Sequence, residues 1–285
     1  MYKKNNNNNN KFTILLVGII IIILLILNNN SKLDNVKNYD IVVSINVHEK
    51  VNFLLEQLNN IRQYIKSSYC VVLNCNDYMY NELKNKDLKL DNIIFINNEI
   101  INKKRFHGSL FHGIYSNIKY SLKNFNFKYF FILSSRNIFF QDIDILRLEN
   151  LFNLKDPPTQ IDSLTYDYTD ESKWYHWVYI KHTKLAQYYM NKRANLYNSP
   201  HEGLVIKKSG CEVIYNFLNT HNHIKKDLFN TNTVSEEFAL QTILKNETDD
   251  KTPLLSLNYG SIVEDNVPAP ENLNTPFYVR KINRK

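Results

Sequence analysis

From position 39 onward, short apolar runs alternate with segments whose apolar residues recur at helical spacing, and this alternation limits the possible folds more than any other feature. DIVVSIN (40–46) has strand length, and VNFLLEQLNNIRQYI (51–65) has helical spacing. CVVLNC (70–75) reads as a second strand, YNELKNK (80–86) as a short helix and NIIFIN (92–97) as a third strand. Strand, helix, strand order predicts a parallel sheet with right-handed crossovers and helices on its faces. Leu110, Ile114, Ile118 and Leu122 then mark one face of a helix, and YFFILSS (129–135) is apolar throughout, as a central strand requires. Helical spacing resumes over 141–154 and ends before Pro157 and Pro158. The alternation breaks down over 159–200, an irregular aromatic stretch. LVIKKSGCEVIYNFL (204–218) reads as a strand leading into a helix, SEEFALQTILK (235–245) as a helix and FYVRK (277–281) as a final strand. The expected fold class is α/β, an open and mostly parallel sheet with flanking helices.

Ahead of this domain lies the uncharged run FTILLVGIIIIILLIL (12–27). As a helix it would extend about 24 Å, a short span against a hydrocarbon core of roughly 30 Å. It ends in Asn28, Asn29 and Asn30, without the small-residue pattern of a cleaved signal peptide. Lys3, Lys4 and Lys11 precede it, so the positive-inside rule predicts type II topology. The organisation expected is an Asn-rich cytoplasmic tail (1–11), a transmembrane anchor (12–27), a polar stem (28–38) and a lumenal domain (39–285). A short span suits the thinner membranes of the endoplasmic reticulum or Golgi apparatus.

The net charge of +7 comes partly from the tail lysines, and no dense basic block interleaved with aromatics occurs, which argues against nucleic acid as a partner. An anionic small-molecule donor fits the charge. Three cysteines, Cys70, Cys75 and Cys211, imply no disulfide framework. Cys70 and Cys75 bound one strand and would stand roughly 16 Å apart at about 3.3 Å per residue, too far to bridge. Asn246, in Asn246-Glu247-Thr248, is a glycosylation acceptor for a lumenal domain, whereas Asn29-Asn30-Ser31 abuts the anchor.

Several stretches, in order, resemble the core-2/I-branching enzyme and xylosyltransferase family, glycosyltransferase family 14. They are YCVVLN, the helix GSLFHGIYSNIKYSL, the strand YFFILSS with its continuation RNIFF, HEGLVIKKSGCEVIYNFL, TVSEEFALQTI and FYVRK. The resemblance implies a glycosyltransferase A-type fold, an inverting transfer of one sugar such as GlcNAc or xylose from a UDP-sugar to a glycan or glycoprotein, and no cofactor beyond that donor. An obligatory metal is not implied.

Transfer needs a base for the acceptor hydroxyl, and a carboxylate is the usual one. The resemblance makes Glu237, second of the pair before Phe238, that base, with Glu236 beside the acceptor where the family usually has aspartate. The bland alternative is that both carboxylates favour the positive end of a helix capped by Ser235. Glu202 would sit beside the acceptor and compete as base. The departing diphosphate needs fixed cations; Lys281 matches the family's diphosphate lysine, and Arg280 would substitute for an arginine with no counterpart around 259–263. Otherwise both belong to a solvated basic tail. Asn46 and His48 follow the first strand, Asn74 ends the second and Ser135 ends the YFFILSS strand. All four are candidate contacts to the nucleotide sugar at the carboxyl edge of the sheet, with loop solvation the alternative for Asn46, His48 and Asn74. Asn74 stands where the family often has aspartate. Trp174 and Trp177 would stack on an acceptor sugar, or else pack in the core. Asp142-Ile143-Asp144 falls too late for a metal signature at the end of the strand and reads as a helix cap, and His107 and His112 are spaced wrongly for a shared helical metal face. A catalytically inactive domain of the same kind, binding carbohydrate or acting as a scaffold, is the competing expectation.

Overall fold

The computed structural model describes residues 36–85, 92–165, 176–258, 263–264 and 278–283. The segments expected to be tail and anchor, and most of the expected stem, lie outside the described residues. Among the described residues no helix is long and apolar enough to cross a membrane. A compact unit spans Tyr39–Lys285, and all three cysteines in it are free and buried.

The first half follows the alternation. Strand β1 (Ile41–Val47) leads to helix α1 (Val51–Tyr64), β2 (Tyr69–Cys75), α2 (Asp77–Asn85), β3 (Ile94–Ile96), α3 (Ser109–Asn124) and β4 (Tyr129–Ser134). A turn then gives β5 (Asn137–Phe139) and α4 (Ile145–Phe152). The irregular stretch holds α5 (Lys184–Asn191) and a small two-stranded antiparallel sheet of Asp162–Leu164 with Leu196–Asn198. Thereafter come β6 (Leu204–Lys207), α6 (Lys208–Thr220), α7 (Asn222–Asn230), α8 (Ser235–Glu247), β7 (Leu254–Ser256) and β8 (Val279–Asn283).

The main sheet has six strands in the order β7-β6-β4-β1-β2-β3. β1 pairs in parallel with β2 and β4, β2 with β3, and β6 is antiparallel to both its neighbours. The sheet is mixed and mostly parallel, with β6 the reversed strand. β8 joins β5 instead, antiparallel, in a second small sheet.

Every residue of β1 is buried, so its alternate side chains feed two cores. Val42, Val72, Phe130 and Ile206 face one layer with Ile114, Ile118, Ile214 and Phe238 from α3, α6 and α8. Ile41, Val43, Val71 and Phe131 face the other with Leu54, Leu58, Ile61 and Leu148 from α1 and α4. Burial on both faces explains why β1, β2 and β4 are near-continuous apolar runs rather than alternating ones. Their loops are left to carry the polar chemistry at the edge.

Asp144 caps α4, its Oδ1 accepting from the Arg147 amide at 2.8 Å, as the spacing predicted. Ser235 does not cap α8. It is the first helical residue, and its hydroxyl donates 3.1 Å to the carbonyl of Leu228, tying α8 to α7.

Candidate functional site

A cleft of about 830 Å³ opens at the carboxyl ends of β1 and β4. These neighbours are parallel, but the chain leaves β1 towards β2 and β4 towards β6, so the connections diverge. Divergence there opens a crevice, the usual ligand site of open α/β sheets.

The floor comes from the strand ends. Asn46 is 6% exposed; its Nδ2 donates to the Leu110 carbonyl at 2.9 Å, while its Oδ1 has no hydrogen-bond partner among the described residues. Gly113 on α3 makes room for it, since a Cβ there would fall 2.2 Å from that oxygen. Ser135 follows β4, is 4% exposed and also has an unpartnered hydroxyl. Its turn is held from α1, where Gln57 Nε2 donates to the carbonyls of Ser134 and Asn137 at 2.7 and 2.8 Å. Asn137 Oδ1 closes the same turn by accepting from the Ser134 amide at 2.7 Å. A buried acceptor and a buried hydroxyl facing a cleft are suited to a polar ligand, because each costs free energy until one pairs with it. His48 is exposed at the mouth, and Glu49 is held by Arg136 Nε at 2.8 Å.

Asn74 does not line the cleft. It is fully buried, its Nδ2 donating to the Glu99 carbonyl at 2.8 Å and its Oδ1 accepting from Lys103 Nζ at 2.6 Å. What reaches the cleft is Lys103, which also donates to the carbonyls of Asn74 and Ile101, both at 3.0 Å. No carboxylate among the described residues pairs with it. Burial without a counter-ion lowers its pKa to about 7, slightly offset by Cys75. Asn74 thus places a cation. Lys103 escapes a reading of the sequence because Asn102-Lys103-Lys104-Arg105 looks like any solvated loop, and only the fold buries one of its lysines.

The cleft lining also carries carboxylates. Glu202 is 6% exposed and lies 3.5 Å from His201 Nδ1. It is set by Gly203, whose positive φ of 76° turns the chain into β6. A Cβ on Gly203 would approach the Asn258 amide nitrogen to 3.0 Å, a tight contact that adds to the preference for glycine set by the positive φ. Glu236 and Glu237 occupy the first turn of α8 and both line the cleft, Glu236 buried and Glu237 half-buried. The structure therefore brings together Asn46, His48, Ser135, Glu202, Glu236 and Glu237.

Other candidates fall elsewhere. Trp177 is 1% exposed in the core, so its ring has no face for an acceptor sugar and its role is packing. Trp174 lies outside the described residues, as does the 259–262 segment. Arg280 and Lys281 have described backbone only, opposite Ile138 and Asn137 across the β5 and β8 pair, which puts Lys281 in register beside the turn that carries Ser135. Asn246 Nδ2 spends both hydrogens, on the Asn195 and Thr242 carbonyls at 2.9 Å each, and a glycan would displace one of them. Asp142 and Asp144 lie away from the cleft lining. Among the described residues, no group of three His, Cys, Asp or Glu side chains is placed to hold a metal ion. The aromatic side chains that line the cleft are Phe53, Tyr78 and Phe106, none of which the sequence marks out. Compared with known proteins, the chain matches no family model and no curated protein.

Proposed function

We propose that the protein is an inverting glycosyltransferase that moves one sugar from a UDP-sugar to a glycan or glycoprotein acceptor. The observation that carries the reading is the meeting, in the lining of one switch-point cleft, of strand-end polar groups with Lys103 and of the carboxylates Glu202, Glu236 and Glu237. The donor diphosphate lies against the first, near Lys103 and the turn beside which Lys281 runs. The acceptor hydroxyl lies against the second. In a single displacement the acceptor oxygen attacks the anomeric carbon, the bond from that carbon to the phosphate oxygen breaks, and UDP leaves with the electron pair. Glu237 accepts the hydroxyl proton. Attack opposite the leaving group inverts the carbon. The unpartnered Asn46 Oδ1 and Ser135 hydroxyl supply contacts to the donor. The sheet order with its reversed β6 fits a glycosyltransferase A-type fold, and the ordered resemblance to the core-2/I-branching and xylosyltransferase family supports the same activity. The apolar run 12–27 fits a type II anchor holding this domain in the lumen of the Golgi or endoplasmic reticulum.

The test is a thermal-shift panel of nucleotide sugars on the full chain in detergent, with and without a chelator. A UDP-sugar at about a hundred times its Kd should stabilise the protein by roughly 2.7 kcal/mol. No shift with any nucleotide sugar, confirmed by calorimetry, rejects the reading.

Lys103 adds a pH dependence. Its proton is bound below about 7 and lost above it, whereas the diphosphate of a UDP-sugar does not titrate there. Donor affinity should therefore fall by about fivefold from pH 6 to 8.5, roughly 1 kcal/mol of lost attraction. Lys103→Met should bind weakly at both pH values. Calorimetry at the two pH values checks this.

A further inference from the structure

The cleft has a cation and an aromatic ring that the transfer step does not use. Arg105 and Phe106 line it from the loop before α3. That loop is fastened to the carboxylate side: the Gly108 amide donates to the Thr231 carbonyl at 2.9 Å, and Thr231 lies in the segment leading into α8. Phe106 is 48% exposed and sits in the left-handed region at φ 52°, a costly conformation for a bulky residue. The Arg105 guanidinium stands 4.6 Å from the Phe106 ring centroid and the His176 ring packs tilted against Phe106 at 5.5 Å, so a ligand would meet the part of the ring that stays exposed. It pairs with no carboxylate among the described residues, unlike Arg136, whose Nε is held by Glu49. The neighbouring Lys104 is exposed and forms no ion pair among the described residues either.

Resting on the transfer reading, we infer that the acceptor side of the cleft contains a subsite for an acidic sugar, with Arg105 taking its carboxylate and Phe106 the apolar face of its ring. A guanidinium fork matches a carboxylate with two parallel hydrogen bonds, and an exposed ring beside it packs on sugar C–H groups. Charge permits the same occupant. Glu202, Glu236 and Glu237 would repel an acidic acceptor, and the cations on the adjoining loop offset that repulsion. Arg105 and Phe106 are thus specificity determinants, selecting a hexuronate over the corresponding neutral hexose.

Calorimetry on the full chain in detergent tests this with two probes, a glucuronic acid disaccharide and its glucose counterpart, each with UDP present, and with UDP titrated separately. The acidic disaccharide should bind about tenfold more tightly than the neutral one at low salt. Arg105→Ala and Arg105→Gln should reduce that preference to under about twofold, Arg105→Lys should keep part of it, and Phe106→Ala should weaken both sugars. UDP affinity should not change in any of them. Lys123→Ala, at an exposed site on α3, should change nothing. The inference is overturned if both disaccharides bind equally or not at all while UDP binds, if the preference survives loss of Arg105, or if Lys123→Ala reduces it equally. Failure of UDP itself to bind sinks the transfer reading instead.

Discussion

Glu237→Gln should lower turnover by about three orders of magnitude while leaving UDP-sugar affinity within about twofold. Glutamine matches glutamate in shape and keeps its place in the first turn of α8, but it cannot take a proton. In the proposed arrangement the donor contacts Lys103, Asn46 and Ser135 rather than Glu237, so its binding should not register the change. The comparison with Glu202→Gln is what makes the experiment decisive. Glu202 is more deeply buried and close to His201, so its loss should disturb acceptor placement, with a fall of about tenfold expressed mainly in KM for the acceptor. Steady-state rates for both variants, with the donor dissociation constant measured separately, decide between the two carboxylates. A larger kcat loss in Glu202→Gln moves the base to that residue. Full activity in Glu237→Gln removes it from the chemistry.

Gly108→Ala should cost about 3 kcal/mol or more of stability, at the upper end for overpacking. The Gly108 backbone is helical, with φ −53°, so alanine is conformationally acceptable there and the cost is steric. A Cβ would stand 1.8 Å from the Leu228 carbonyl oxygen and 2.9 Å from the Phe229 carbonyl carbon, both backbone atoms of α7 that cannot rotate away. Relief requires α3 and α7 to separate, which also displaces the loop bearing Lys103 to Phe106. Gly210→Ala is the control. Its Cβ would meet side-chain methyls of Ile206 at 2.8 Å and Leu244 at 3.1 Å rather than backbone, and the helix gains about 1 kcal/mol in propensity, so the loss should be clearly smaller than for Gly108→Ala. Urea denaturation of both variants reads the difference. Equal midpoints would mean that α3 and α7 do not pack as closely as described.

Much of the domain was legible from residue order because its main strands are buried on both faces. β1, β2 and β4 announce themselves as apolar runs, and α1 and α3 as repeats of apolar residues at helical spacing. The reversed direction of β6 was not legible, since a buried strand reads alike in either direction. Neither was α5, hidden in an aromatic stretch whose two tryptophans, Trp174 and Trp177, suggested stacking on a sugar. Trp177 shows why. An aromatic side chain serves a core or a cleft equally well, and only packing decides which.

The candidate site divides in the same way. Asn46, Ser135, Glu202 and the Glu236 and Glu237 pair sit at ends of strands and helices, and element ends can be placed from sequence. Asn74 shares that kind of position, yet the fold encloses it and passes the cleft to Lys103. The order of residues by itself determined the α/β class, the parallel first half and which strand ends would meet at one edge, because those follow from hydrophobic periodicity and chain connectivity. Only the tertiary structure decided which polar groups are exposed, which spend their hydrogen bonds inside, and which cations remain without a carboxylate. Those outcomes depend on burial and on partners distant in sequence, as when Asn74 meets Lys103, and neither is written in local pattern.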